Sequence, residues 1–146
     1  MKKIDLYTDG ACSGNPGAGG WGAILIYKGV EKEISGGEKS TTNNRMEIFA
    51  VIAGLRCLKE SCEVKIYSDS AYTVNAFNEG WIYGWMKNGW KKADGKPVAN
   101  AELWSELYSE TKKHKVEFIK VKGHADNAYN NRCDELARAA IKSLGL

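Results

Sequence analysis

Residues 4–27 read IDLYTDGACSGNPGAGGWGAILIY, and this stretch decides the fold class. In residues 4–9 the side chains of Ile4, Leu6 and Thr8 alternate with those of Asp5, Tyr7 and Asp9. This alternation predicts a half-buried β-strand. A glycine-rich turn occupies residues 10–20, and a second strand is expected over residues 21–27. Lys28-Gly29 is a turn signal, so a third, shorter strand near residues 31–35 should pair with the second as a hairpin. The chain is therefore expected to begin with antiparallel strands.

Helices and strands alternate along the rest of the chain. Capping residues at 41–43 precede a mostly apolar helix over residues 45–58, and a strand is expected over residues 64–68. A helix to about residue 78, a short helix through the tryptophans and an amphipathic helix over residues 100–114 follow. A strand over residues 116–121 and a helix over residues 132–144 complete the order. This order predicts an α/β fold, a mixed sheet flanked by helices.

Composition places the chain among ordinary globular proteins. Its 146 residues suit a single domain, and 43% hydrophobic with 27% charged residues is a typical balance. The N-terminus lacks the apolar region of a signal peptide, and no segment approaches the length of a membrane span. The four cysteines show no Cys-x-x-Cys spacing, so reduced thiols and a cytoplasmic location are expected. Without an exposed heptad or apolar stripe, we expect a monomer.

The positive charge is concentrated in one segment, residues 81–98. Against a single acid, Asp94, this segment holds four lysines: Lys87, Lys91, Lys92 and Lys96. It therefore accounts for the whole net charge of +3, and the remainder of the chain is neutral. Three of the five tryptophans fall there too, namely Trp81, Trp85 and Trp90. The excess charge of the chain is therefore local.

Four acids fall at the ends of elements that a single sheet would bring together. They are Asp9 after the first strand, Glu47 in the first helix, Asp69 after the fourth strand, and Asp134 at the start of the last helix. Each also has a structural explanation. Asp9 suits a turn, Glu47 the helix macrodipole, Asp69 a helix cap, and Asp134 an ion pair with Arg138. None of these explanations accounts for the common location.

Clustered carboxylates raise one another's pKa and stay ionised together only beside cations. Oxygen ligands suit Mg²⁺ or Mn²⁺, and the lack of Cys/His spacing argues against zinc. Two such ions about 4 Å apart could activate a water and stabilise the leaving oxygen of a phosphodiester. The sequence therefore predicts a divalent-cation site.

Five motifs together resemble the type 1 ribonuclease H family, and they occur in the right order over nearly the whole chain. They are YTDGACSGNPGAGGWG, TTNNRMEIFA, IYSDSAY, KVKGHA and NNRCDELARAA. The resemblance implies the ribonuclease H-like fold, with a five-stranded mixed sheet whose second strand is antiparallel to the rest. It implies two Mg²⁺ ions on Asp9, Glu47, Asp69 and Asp134, with Mn²⁺ as a substitute. It also implies hydrolysis of the RNA strand of RNA–DNA hybrids to 5′-phosphate and 3′-hydroxyl ends. His124 would shuttle a proton or aid product release.

The resemblance also implies where the hybrid binds. Minor-groove contacts match Cys12, Asn15, Asn43 and Asn44, and a pocket that grips a DNA phosphate matches Asn15, Thr42 and Arg45. Residues 81–98 match the family's basic protrusion, whose lysines would meet phosphates of the DNA strand. Trp81 is expected nearer the substrate, whereas Trp85 and Trp90 are expected to pack the segment against the domain.

Two other classes of function compete with this interpretation. Another nuclease of the same fold superfamily is one, such as a junction resolvase or a proofreading exonuclease; the exonucleases carry Asp-x-Glu on the first strand, where this chain has Asp9-Gly10-Ala11. A module that binds hybrids without cutting them is the other. Loss of at least one acid would be expected in such a module, and all four are present.

Overall fold

The computed structural model describes residues 1–122 and 127–146. Five strands form one sheet: β1 (Lys2–Cys12), β2 (Gly17–Tyr27), β3 (Val30–Thr41), β4 (Cys62–Ser68) and β5 (Lys115–Lys120). Their order across the sheet is β3-β2-β1-β4-β5. β2 is antiparallel to both β1 and β3, whereas β4 is parallel to β1 and β5 is parallel to β4. The five-stranded mixed sheet is confirmed.

The turn between β2 and β3 is the one that Lys28-Gly29 predicts. Both residues have positive φ, 50° and 80°, as a two-residue hairpin turn of type I′ requires. β3 is longer than expected, because pairing continues through Gly36 and Gly37 to Thr41. A Cβ at Gly36 would lie 2.8 Å from the Trp21 ring. Glycine there lets the ring lie against the strand, but it also removes the alternation by which a strand is recognised in sequence.

The helices are α1 (Asn43–Arg56), α2 (Ala71–Asn78), α3 (Trp81–Lys87), α4 (Ala101–Thr111) and α5 (Ala128–Lys142). α1 covers one face of the sheet, where Leu6 of β1 lies against Gly54. The core between this face and the helices contains fully buried Ile52, Leu55 and Trp104. Among the helices of the described ranges, none combines the length and apolar character needed to cross a membrane.

The last helix, α5, lies on the opposite face, close against β2. A Cβ at Gly20 would lie 2.1 Å from the carbonyl oxygen of Ala137, and one at Gly22 would lie 2.5 Å from that of Cys133. Two glycines on β2 therefore permit the backbone contact that holds α5 in place.

The expected start of α5 at residue 132 was wrong, because the helix begins at Ala128. Asn127 caps it, since its Oδ1 accepts a hydrogen bond from the Asn130 N–H at 2.9 Å. Asp134 consequently lies in the second turn of α5 and not at its start.

Candidate metal centre

Three acids meet where the parallel pairing of β1 with β4 ends. β1 itself continues to Cys12, paired with β2, so the expectation that Asp9 closes the first strand was wrong. The last β1–β4 pair joins Tyr7 to Tyr67, so Asp9 lies just past it on β1, and Asp69 follows β4 directly. Glu47 approaches from α1. Carboxylate oxygens of Asp9, Glu47 and Asp69 all lie within 4.8 Å of one another. Ligands of open α/β sheets bind at this edge.

Glu47 is the most deeply held of the three, with 4% of the residue exposed. Its Oε1 accepts a hydrogen bond from the Gly10 N–H at 2.9 Å. Its Oε2 is buried and has no hydrogen-bond partner among residues 1–122 and 127–146. β1 can approach α1 this closely because residue 10 is glycine, since a Cβ there would lie 2.5 Å from the backbone nitrogen of Glu47. One carboxylate oxygen is thus fixed and the other is left for a ligand.

The helix after β4 is capped by Ser70 and not by Asp69. Ser70 Oγ accepts a hydrogen bond from the Thr73 N–H at 3.2 Å. The structural explanation of Asp69 as a helix cap was therefore wrong. Its carboxylate is available to the pocket.

Asp134 lines the same pocket from α5. Its Oδ2 accepts a hydrogen bond from Arg138 Nε at 2.9 Å, and its side chain is 40% exposed. Asp134 therefore forms the predicted ion pair with Arg138 and also lies in the pocket with the other acids. Asp134 is not in the group of carboxylates that lie within 4.8 Å of one another, and its exposure places it at the rim of that group.

Burial and neighbouring charges favour the protonated forms of Asp9 and Glu47. Burial, and after it the charges of Asp69 and Asp134, raises the pKa of Asp9 to about 7. Burial and then the charge of Asp9 hold the pKa of Glu47 well above its ordinary value. A cation would relieve the repulsion by replacing these protons.

The donor set fits a hard divalent cation. The clustered ligand atoms are all carboxylate oxygens, which Mg²⁺ and Mn²⁺ prefer. The buried thiol of Cys133 is close enough to be influenced by Asp9, but burial raises its pKa far above the ordinary value. Burial therefore disfavours the thiolate that a softer metal would need.

Uncharged polar groups complete the pocket. Besides the acids, its lining comprises Gly10, Asn43, Ser70, Asn130 and Asn131. The sequence reasoning included Asn43 but missed Ser70, Asn130 and Asn131. A signal for Asn130 was available, since it precedes Asp134 by four residues and so shares its helical face.

The glycine-rich turn and the start of α1 are joined by hydrogen bonds. Asn15 Oδ1 accepts from the Asn43 N–H at 3.0 Å. Thr42 is the N-cap of α1 and accepts from the Arg45 N–H at 3.3 Å. Cys12, at the end of β1, places its Sγ 3.5 Å from the carbonyl oxygen of Thr41. The residues matched to minor-groove and phosphate contacts therefore lie around one helix N-terminus beside the acids.

Two predicted contact residues have different surroundings. Asn44 is exposed on the first turn of α1. Arg45 donates from Nη1 to Asn100 Oδ1 at 3.2 Å and forms an ion pair with Glu102. Its guanidinium is therefore shared with the segment that begins α4.

In the basic segment, residues 81–98, two tryptophans pack against the core and the lysines are exposed to solvent. Trp85 and Trp90 pack against the core, whereas Trp81 is 41% exposed. Lys87, Lys91, Lys92 and Lys96 are exposed, and none of them forms an ion pair with any described residue. His124 belongs to residues 123–126, which lie outside the described part of the chain.

Comparison with known proteins agrees with this architecture. The RNase H family model matches residues 1–142. A ribonuclease H from Chlorobaculum parvum is 64% identical over 141 residues, covering 97% of both chains.

Solved structures give the same result. LC9-RNase H1, described as a type 1 RNase H with the type 2 active-site motif, superposes with a TM-score of 0.89 at 30% identity, over 98% of this chain and 74% of that one. LC11-RNase H1, solved in complex with an RNA/DNA hybrid, superposes with a TM-score of 0.74 at 25% identity, over 98% of this chain and 99% of that one. The chain belongs to the ribonuclease H family of enzymes.

Proposed function

We propose that this enzyme hydrolyses the RNA strand of RNA–DNA hybrids with two Mg²⁺ ions bound to Asp9, Glu47, Asp69 and Asp134. The observation that carries the proposal is the meeting of three carboxylates within 4.8 Å, with Asp134 in the same pocket. Burial raises the pKa values of the Asp9 and Glu47 carboxylates, and a bound cation would favour their ionised forms.

The bound ions would activate a water and stabilise the leaving 3′ oxygen, giving 5′-phosphate and 3′-hydroxyl ends. The protein itself holds the ligands in place. The Gly10 N–H fixes one oxygen of Glu47 and leaves Oε2 for the site. Asp9 lies on β1 and Asp69 directly follows the neighbouring β4, which limits their movement relative to each other. Mn²⁺ would serve in place of Mg²⁺ because the ligands are hard oxygens.

Recognition of the RNA strand is assigned to the region around the N-terminus of α1. A 2′-hydroxyl is both donor and acceptor and marks RNA in the wide minor groove. Cys12, Asn15, Asn43 and Asn44 offer amide, thiol and backbone groups beside the acids. The complex of LC11-RNase H1 with an RNA/DNA hybrid supports a hybrid as the partner here.

The DNA strand would contact Thr42, Arg45 and the basic segment. Arg45 would exchange part of its contact with Glu102 for a phosphate, an exchange that costs little because the pair is exposed. Trp81 and the four exposed lysines extend this surface, and their phosphate contacts would make binding salt-dependent. His124 is proposed to shuttle a proton or aid product release, on the family resemblance of KVKGHA.

We further propose that the chain acts as a single-domain monomer in the cytoplasm. The four cysteines are free thiols, as expected in a reducing compartment. Large exposed apolar side chains in the described ranges are few, with Trp81 and Tyr83 in the segment assigned to the hybrid.

A panel of labelled substrates tests the function. The purified enzyme with Mg²⁺ would be given an RNA–DNA hybrid, duplex DNA, duplex RNA and both single strands. Cleavage confined to the RNA of the hybrid, with 5′-phosphate and 3′-hydroxyl ends, is the expected result. DNA cleavage would indicate another nuclease of this fold superfamily, and tight binding without cutting would indicate a hybrid-binding module.

A further inference from the structure

Asn130 lies in the acidic pocket but has no part in the function proposed above. Only 3% of the residue is exposed, and it lines the pocket together with the four acids. It occupies the first turn of α5, four residues before Asp134, so both side chains project from the same side of the helix.

The helix cap uses the backbone of Asn130 but not its side chain. Its N–H donates to Asn127 Oδ1 at 2.9 Å, which fixes the first turn of α5. Its own Oδ1 is buried and has no hydrogen-bond partner in residues 1–122 and 127–146. A buried amide without a partner costs free energy, and a hydrophobic residue of similar size would avoid that cost. Within the described ranges the fold therefore gives no reason for an amide at this position.

The ligand assigned to the pocket supplies a reason. Mg²⁺ gives up its waters reluctantly and keeps several of them in protein sites, and each of those waters is a hydrogen-bond donor. An amide oxygen can accept from such a water without adding a negative charge. That difference matters here because Asp9, Glu47 and Asp69 are already crowded.

We propose that Asn130 is a positioning residue whose Oδ1 accepts a hydrogen bond from a water in the hydration shell of a divalent cation held by the acids. Hydrogen bonds of this outer kind orient ligands and tune metal affinity. The inference rests on the proposed function, because it needs a cation in the pocket. It concerns cation binding and can be tested without nucleic acid.

Mn²⁺ is the probe, with free ion measured by electron paramagnetic resonance in the absence of nucleic acid. We expect Asn130→Ala to weaken the tighter Mn²⁺ binding about 10-fold, the lower end of the range for such residues. Asn130→Asp keeps an acceptor oxygen, so its affinity should equal or exceed that of the unchanged protein. In chelator, Asn130→Ala should unfold at the same temperature or higher, because it removes an unpaired buried amide.

Asn78→Ala is the matched control. Asn78 Nδ2 donates to the carbonyl oxygen of Phe118 at 3.1 Å, outside the pocket. Its loss should lower the unfolding temperature and leave Mn²⁺ affinity unchanged. The two variants would then distinguish an amide that stabilises the fold, at Asn78, from one that contributes to cation binding, at Asn130.

The outcomes are distinguishable. Unchanged Mn²⁺ affinity in Asn130→Ala would overturn the inference, as would equal weakening in Asn130→Asp, since the acceptor would then be irrelevant. If the unchanged protein bound no Mn²⁺ and cut no hybrid, the proposed function would fail first and the inference with it. If that protein bound Mn²⁺ and cut hybrids while Asn130→Ala matched it, only the role of Asn130 would fail.

Discussion

Replacing Asp9 with asparagine should stabilise the cation-free protein while abolishing its activity. Asparagine keeps the shape of the side chain but cannot ionise. Asp9 is 5% exposed, and its pKa is raised from 3.8 to about 7 by burial and by the charges of Asp69 and Asp134. The native protein therefore resists losing this proton.

The sign and size of the effect follow from proton linkage. Between pH 3.8 and about 7 the native state keeps a proton that the unfolded state has lost. The free energy of unfolding of the unchanged protein therefore falls as pH rises through that window. The pKa shift is about three units, and each unit corresponds to about 1.36 kcal/mol. Above pH 7, ionisation of Asp9 therefore lowers the free energy of unfolding by at most about 4 kcal/mol. For a chain of this length, each kcal/mol moves the midpoint by about 4 °C.

Thermal unfolding in chelator at pH 4.5 and pH 8 is the assay. Asp9→Asn should melt several degrees higher than the unchanged protein at pH 8, and the gap should shrink at pH 4.5. Asp5→Asn, on the same strand but outside the pocket, controls for removing one negative charge. With saturating Mg²⁺ the gap at pH 8 should narrow, because the cation stabilises only the intact site. A variant that melts lower at both pH values, or equally higher at both, would refute the electrostatic reasoning.

Three further outcomes are expected. Arg138→Gln should tighten Mg²⁺ binding a few-fold by calorimetry, because Asp134 loses a competing partner; weaker binding would contradict this. Changing the four lysines of residues 87–96 to glutamine should reduce the slope of log affinity for a hybrid against log salt by up to about four, and an unchanged slope would exclude them as phosphate contacts. Gly10→Ala should lower both the unfolding temperature and Mg²⁺ affinity, since its Cβ would lie 2.5 Å from the backbone nitrogen of Glu47; unchanged values for both would contradict the close approach.

Local patterns in the sequence were sufficient for the order of elements and for the gathering of acids. Strand periodicity placed Asp69 directly after a strand and Asp9 on the first strand, and the parallel pairing of β1 with β4 brings the two residues together. The first strand continues past Asp9 to Cys12 because its last residues pair with β2 alone. Glu47 belongs to the mostly apolar helix that the sequence predicts, and it is buried with 4% of the residue exposed. The roles assigned to these residues remain predictions until the experiments are made.

Other features could not be predicted because they depend on long-range contacts or on glycine. The end of β3 pairs through Gly36 and Gly37, which carry no side-chain alternation. Arg45 meets Glu102 across 57 positions of sequence, a distance that no local pattern spans. The start of α5 could not be predicted because it lies in the polar stretch NAYNN, residues 127–131, which contains several asparagines able to cap a helix.

Cleavage of the RNA strand of a labelled hybrid, measured as free Mg²⁺ is varied from chelated to saturating, tests the central claim most directly. If the acids act only when a divalent ion joins them, cutting must vanish in excess chelator and return in full when Mg²⁺ is restored. A protein that continued to cut with its divalent ions removed would show that the pocket formed by Asp9, Glu47, Asp69 and Asp134 works in some other way.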